Sequence, residues 1–175
     1  MIDFLNMKNE YIKLILEGVT SDEVELDEEE LSELVEELSE FQEYKNIQSF
    51  KINWAEENNA LLATVGLPVS APTMLEFTPA ELIAENQLKI GFNNYGDDVV
   101  ILIDTGVVAY VNHDLNNAIR FINSDALSLL KTLSEFNKVI NGERSFPSVL
   151  SCFDAKAFKE GAWWHNEYHN WIELN

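Results

Sequence analysis

The sequence predicts an α+β domain: an antiparallel β-meander sheet packed by helices, preceded by an acidic N-terminal helical extension. Three observations carry this reading. Between residues 73 and 123, short runs rich in Val, Ile and aromatic residues succeed one another on turn-like connections. Before and after that stretch, apolar residues recur at helical spacing. Helices flanking consecutive strands indicate α+β architecture rather than a doubly wound sheet.

Residues 4–17 place Phe4, Leu5, Tyr11, Ile12, Ile15 and Leu16 at helical spacing, and Gly18 is the expected stop. A second helix is expected over residues 28–45. Asp27 stands at its N-cap and Glu30 comes three residues later, the spacing of a capping box. At about 100° per residue, Leu31, Leu34, Val35, Leu38 and Phe41 share one face of that helix. Glu29, Glu33, Glu36, Glu40 and Glu43 fall opposite, in a stripe about 80° wide. A third helix is expected over residues 54–65, ended by Gly66-Leu67-Pro68.

Strands are expected next at residues 73–77, 87–92, 98–103, 107–112 and 118–123. Asp104-Thr105-Gly106 reads as a tight hairpin turn, and residues 93–97 read as a longer one. Ser124 or Asp125 then opens a helix carrying Leu127, Leu130, Leu133 and Phe136 toward a core. Residues 153–174 read as a final helix with Trp163, Trp164, Tyr168 and Trp171. A soft boundary near residue 50 divides an acidic helical extension (1–50) from an α+β domain (51–175).

Charge limits the partners. The chain of 175 residues carries 31 Asp and Glu against 11 Lys and Arg, a net −20. Binding to phosphate backbones or anionic lipid requires Lys and Arg, so nucleic acid and membrane are excluded as expected partners. A basic protein is favoured, because opposite fields raise association rates by roughly 10 to 1,000-fold. Acidity can also serve solubility alone, but here it is uneven. Residues 22–43 hold twelve acids and no Lys or Arg. Beyond that stripe, Asp97, Asp98 and Asp114 sit on expected turns around the sheet. No apolar run approaches the ~20 residues that span a bilayer, and the first residues lack the basic start of a secretory signal. With the single Cys152, this points to a reducing cytoplasm.

Catalytic constellations are sparse. A hydrophobic pair before Asp104-Thr105-Gly106 is how aspartic proteases present an acid, but those enzymes need a second carboxylate, and the chain has no second copy of the triplet. His165 and His169, four apart, would share a helix face like half a metal site. They lack the Glu directly after the first His that a zinc protease motif requires. Cys152 has no nearby His and reads as a buried inert thiol. No phosphate loop is present. The expectation is a non-enzyme with no cofactor and no metal.

The order of elements from residue 58 to residue 140 resembles the SUKH superfamily, in particular the SUKH-type immunity proteins found beside bacterial polymorphic toxins. The resemblance rests on Leu61-Leu62-Ala63-Thr64-Val65-Gly66-Leu67-Pro68, then Lys89-Ile90-Gly91, then the paired runs 99–104 and 106–108. Phe121-Ile122-Asn123-Ser124 comes next, leading into Leu127, Leu129, Leu130 and Leu133. An Asp-Xaa-Xaa-Ala patch and a Trp-bearing helix often close that branch, matched here by Asp154, Ala157 and Trp163 or Trp164. The acidic extension lies outside the pattern. The resemblance implies an α+β domain whose sheet cleft binds and neutralises a basic protein toxin, often a nuclease or nucleic-acid deaminase. The second reading is a regulatory or scaffold module of the same fold. A hydrolase built on Asp104 is the third reading. The expected partner-binding residues are Glu29, Glu33, Glu36, Glu40 and Glu43 on the second helix, with Asp97, Asp98 and Asp114 around the sheet.

Overall fold

The structure, a computed structural model, describes residues 2–21, 26–71, 75–140 and 145–174. Its centre is a six-stranded antiparallel sheet. Two-residue strands β1 (Phe41–Gln42) and β2 (Leu67–Pro68) pair separately. The main sheet comprises β3 (Ser70–Ala71), β4 (Leu75–Ala84), β5 (Gln87–Asn93), β6 (Asp98–Leu102), β7 (Val108–Asn112) and β8 (Ala118–Asn123). Each strand neighbours the next in sequence, so the sheet is a meander. Helices α1 (Phe4–Ser21), α2 (Glu28–Ser39) and α3 (Glu56–Thr64) precede the main sheet. Helices α4 (Ala126–Ile140), α5 (Phe146–Ser151) and α6 (Trp163–Leu174) come after it. The expected α+β class is the observed one.

The departures have physical causes. The second helix stops at Ser39 instead of reaching residue 45, because Glu40 turns extended and Phe41–Gln42 pairs with Leu67–Pro68. Beyond it, Tyr44 is buried, with its N–H donated to the Leu62 carbonyl (2.8 Å) and its hydroxyl donated to the Ile90 carbonyl (3.1 Å). These bonds to distant elements outweigh local helix propensity. Conversely, α1 runs through Gly18 to Ser21. Residues 73 and 74 of the expected strand lie outside the described residues, and β4 continues past Pro79 to Ala84. Pro breaks strand patterns because it donates no ladder bond. Here it sits within a register shift between Phe77 and Glu81, where the pairing is already interrupted.

The expected tail helix is divided. After α5 the chain makes a 3-10 turn at Ala155–Phe158, and Gly161 takes φ +83° before α6 begins. That left-handed φ is costly for any residue with a Cβ. Trp163 and Trp164 are buried as expected, while the side chain of Trp171 lies outside the described residues. Trp164 packs against Phe136 and Phe146 at ring-centroid distances of 5.6 and 5.3 Å.

The segment before residue 50 shares its core with the rest of the chain. Tyr11 and Ile15 of α1, with Tyr44 and Ile47, belong to the same buried cluster as Leu61, Leu88, Val99, Leu130 and Trp164. Helix α1 packs along α4. Helix α2 has no fully buried residue and touches this core through the partly buried Leu38. At Gly66 (φ +82°) a Cβ would lie 1.9 Å from the Gln42 carbonyl oxygen, so glycine alone lets the β1 segment close on β2.

A buried polar network ties the sheet to the helices after it. Asp125 caps α4: its carboxylate accepts the Ser128 N–H (2.7 Å), and the Ser128 hydroxyl accepts the Asp125 N–H (3.1 Å). Beside this cap lies Asp154, buried just after α5. Its carboxylate accepts the Asn123 amide (3.0 Å), the Ser124 N–H (2.6 Å) and the hydroxyls of Ser124 (2.9 Å) and Ser128 (3.2 Å). Asn123, at the end of β8, also donates to the Thr132 hydroxyl (3.1 Å), and its carbonyl accepts the Trp164 indole N–H (2.8 Å). A buried anion is tolerated when several donors converge on it and a helix N-terminus lies alongside.

Asp154→Ala would strand one hydrogen of the Asn123 amide, whose other hydrogen stays on Thr132, and the Ser124 N–H. Each buried unsatisfied donor costs about 1–3 kcal/mol. A total loss of about 3 kcal/mol corresponds to a Tm fall of about 6–12 °C for a chain of this size. Calorimetry checks this, and an unchanged Tm would show that the network holds nothing together. Deleting residues 160–175 removes Trp163 and Trp164, each contributing on the order of 3–5 kcal/mol. The truncate is expected to be insoluble or molten by near-UV circular dichroism, and a soluble truncate with native Tm would place the tail outside the core.

Candidate protein-binding surface

The acids of α2 are held out in solvent. Asp27 caps the helix by accepting the N–H groups of Glu29 and Glu30 (2.9 Å each), and Glu30 returns a carboxylate to the Asp27 N–H (2.9 Å). This capping box is the one expected from the sequence. The apolar face is only partly covered: Leu31 and Val35 remain 38% and 36% exposed. Leu31 borders a shallow apolar groove against Ile12 and Leu16 of α1.

The expected five-residue stripe is shorter in the fold. Glu29, Glu33 and Glu36 project from α2, exposed and without an ion pair among the described residues. Glu40 is the C-cap residue, and Glu43 lies beyond β1, where it pairs with Lys45 at 3.3 Å. The pairing of Phe41–Gln42 with Leu67–Pro68 breaks the helical register that would have aligned all five.

The three sheet-side acids take different roles. Asp98 forms an ion pair with Lys89 on the adjacent strand. Asp97 is only 3% exposed and acts as an internal latch. Its carboxylate accepts the His113 N–H (3.0 Å), the Asn93 amide (3.1 Å) and a bond from the His113 Nδ1 (2.7 Å). Burial disfavours its charge, yet the His113 N–H, the Asn93 amide and the imidazole together outweigh burial and hold its pKa below the ordinary carboxylate value. Asp97 is therefore a structural residue, whereas Asp114, its side chain 83% exposed, meets the other nitrogen of the same imidazole, His113 Nε2, at 3.3 Å on the surface.

Asp114 borders a cleft of about 270 Å³ that the fold assembles from three stretches of chain. The 93–97 turn supplies Tyr95, β7 supplies Tyr110 and Asn112, and α6 supplies Trp163, Asn166, Glu167 and Asn170. Tyr110 and Tyr95 meet Trp163 edge-on, at centroid distances of 5.3 and 6.5 Å. Burial raises the pKa of Glu167, and no ion pair compensates it among the described residues. Of these residues, the sequence marks only Asp97 and Asp114 for a binding surface. It marks Trp163 for the core, and Glu167 stands out there only for lying between two histidines. Near the start of α6, Arg120, Lys156 and Lys159 line a separate cavity with Gly161, a positive patch that a basic partner would avoid.

The other constellations remain isolated. Asp104 is exposed on its hairpin turn, its N–H donated to Asn86 (2.8 Å) and its carbonyl accepting from the Asn53 amide (2.9 Å). The rings of His165 and His169 lie 4.4 Å apart, and no group of three or more His, Cys, Asp or Glu among the described residues is placed to hold a metal. Cys152, expected to be buried, is exposed, because it falls at the C-cap of the short α5. Among the described residues no helix is long and apolar enough to cross a membrane. No family model matches the chain, and no curated protein or solved structure matches it.

The two shifted carboxylates predict opposite pH responses. The depressed pKa of Asp97 gives stability that is fully present above its unfolded value of about 3.9 and is lost as pH falls through the folded value. Asp97→Asn is expected to flatten the acid side of the Tm–pH curve. Glu167 behaves in reverse: its contribution is fully present below its unfolded pKa of about 4.3 and is lost as pH rises through the raised value. Glu167→Gln should raise Tm at pH 7 relative to the native chain and converge with it near pH 4. Thermal melts across pH 3–8 check both.

Proposed function

We propose that the protein is an immunity protein: it binds a basic protein toxin in the bacterial cytoplasm and covers the toxin's active site or substrate path with carboxylates. The observation that carries this reading is the placement of uncompensated negative charge. Glu29, Glu33 and Glu36 on α2 and Glu167 at the cleft present carboxylates without an ion pair among the described residues, and Asp114 meets no Lys or Arg there but only the His113 imidazole. A chain at net −20 repels its own acids, and a cationic partner relieves that repulsion on docking. Nucleases and nucleic-acid deaminases bind anionic substrates and so present complementary basic channels. The resemblance to SUKH-type immunity proteins supports the same reading. A protein partner engaged in this way needs no chemistry from Asp104 or from the two histidines.

The two surfaces are assigned separate tasks. Exposed rim charges chiefly set association rate and salt dependence, while carboxylates in a partly desolvated cleft set the dissociation rate. The test is stopped-flow binding to the toxin encoded beside this chain, at several ionic strengths, with toxin activity assayed in parallel. Reversing Glu29, Glu33 and Glu36 together to Lys is expected to slow association by about tenfold at low salt and to flatten its salt dependence. Asp104→Asn should change neither binding nor protection. Failure to bind the toxin even at low salt would overturn the immunity reading. Binding that leaves the toxin fully active would favour a scaffold role.

A further inference from the structure

We propose that the cleft between the 93–97 turn, β7 and α6 is a receptor for one arginine side chain of a protein partner. This deepens the reading above and rests on it. The cleft combines three features that a guanidinium requires. First, its walls are aromatic: Tyr95 is 56% exposed and makes its ring contact edge-on to Trp163, so its ring remains open to a planar cation. Second, it is anionic, with Glu167 half-buried and Asp114 at the rim, and no Lys or Arg lines it. Third, the exposed side-chain amides of Asn166 and Asn170 offer carbonyl oxygens beside these carboxylates, while the Asn112 oxygen is taken up by the Leu115 N–H (2.8 Å). Guanidinium presents five N–H donors in a fixed plane, which suits several oxygens beside an aromatic face. Ammonium is a compact and strongly hydrated point charge, less suited to that geometry.

The cleft wall also carries a buried donor that can report on occupancy. The indole N–H of Trp163, a residue only 2% exposed on the cleft wall, is buried and has no hydrogen-bond acceptor among the described residues. Buried donors are almost always satisfied. Because that N–H is itself shielded, it serves as a reporter of the cleft wall rather than as a contact to the occupant. A metal ion fits poorly, since the described acids and histidines nowhere form a group able to hold one. A nucleotide is disfavoured by the same carboxylates that attract guanidinium.

The experiment uses the full 15N-labelled chain and three probes: N-acetyl-arginine methylamide, its lysine counterpart and the neutral citrulline isostere. The Trp163 indole N–H resonance is identified by its loss in Trp163→Phe. A saturable shift is expected with the arginine probe, a weaker one with lysine and none with citrulline. Tyr95→Ala and Asp114→Asn alter exposed side chains, so their folds can be checked in the same spectra. Each is expected to weaken the arginine response about threefold or more, whereas Glu33→Gln on α2 leaves it unchanged. Shifts that grow linearly without saturation, equal responses to citrulline, or native affinity in both cleft variants would overturn the proposal. If the probe fails while the toxin still binds, the arginine receptor is wrong and the immunity reading stands. If the probe saturates while the toxin does not bind, the immunity reading is wrong and the receptor stands.

Discussion

A single buried carboxylate organises the second half of the molecule. Asp154 carries a negative charge into the interior with no cation against it among the described residues, and it is held there by four donors drawn from β8 and the start of α4. Because an unsatisfied buried charge is far more costly than an ordinary unmade hydrogen bond, all these donors must arrive together. That requirement sets where β8 ends and where α4 begins. Through Asn123 it also sets where the Trp164 indole comes to rest. The aromatic cluster of Phe136, Phe146 and Trp164 then packs around a position already determined by polar contacts. Asn123, Ser124, Asp154 and Trp164 come from separate stretches of the chain, and in the fold they are neighbours in one network.

The same logic, applied in the opposite sense, explains α2. Its carboxylates have no buried donors to meet, so they stay in water, and like charges at helical spacing each weaken the helix by about 0.2–0.5 kcal/mol per pair. The capping box at Asp27 and the acids of the first turn offset part of this. With Leu31 and Val35 left exposed, α2 lacks the burial that anchors α1 through Tyr11 and Ile15. The helix is held by its cap, by Leu38 against the core and by the Lys8 ammonium donated to the Ser39 carbonyl (2.9 Å), while its acids stay in water.

The cleft depends on the Asp97 latch in turn. Asp97 joins the turn that presents Tyr95 to the start of the turn that presents Asp114. The aromatic wall and the rim acid are thereby positioned relative to each other before any partner arrives, and preorganisation of this kind reduces the ordering cost of binding. α6 adds Trp163 and Glu167 from a third stretch of chain, and it is itself placed by the Trp164 bond to Asn123. The proposed binding site and the buried network are therefore mechanically continuous.

Local chemistry was legible in the sequence. The α+β class, the hairpin at Asp104-Thr105-Gly106, the capping box at Asp27 and the α4 start at Asp125 each depend on residues within a few positions of one another, and their patterns survive folding. Where distant segments compete, the sequence misleads. The helix expected to reach residue 45 stops at Ser39 because Leu67–Pro68 and Ile90, far along the chain, offer better partners to Phe41–Gln42 and Tyr44. The acids were legible as negative charge but not as roles. Asp97, Asp98 and Asp114 look alike in sequence, yet one is a buried latch, one pairs with a lysine across the sheet and one is an exposed carboxylate beside His113. The cleft was not legible at all, since Tyr95, Tyr110, Trp163 and Glu167 share no spacing or motif. Periodicity reports which face of an element is buried, whereas only the tertiary structure brings faces from separate elements to a common point.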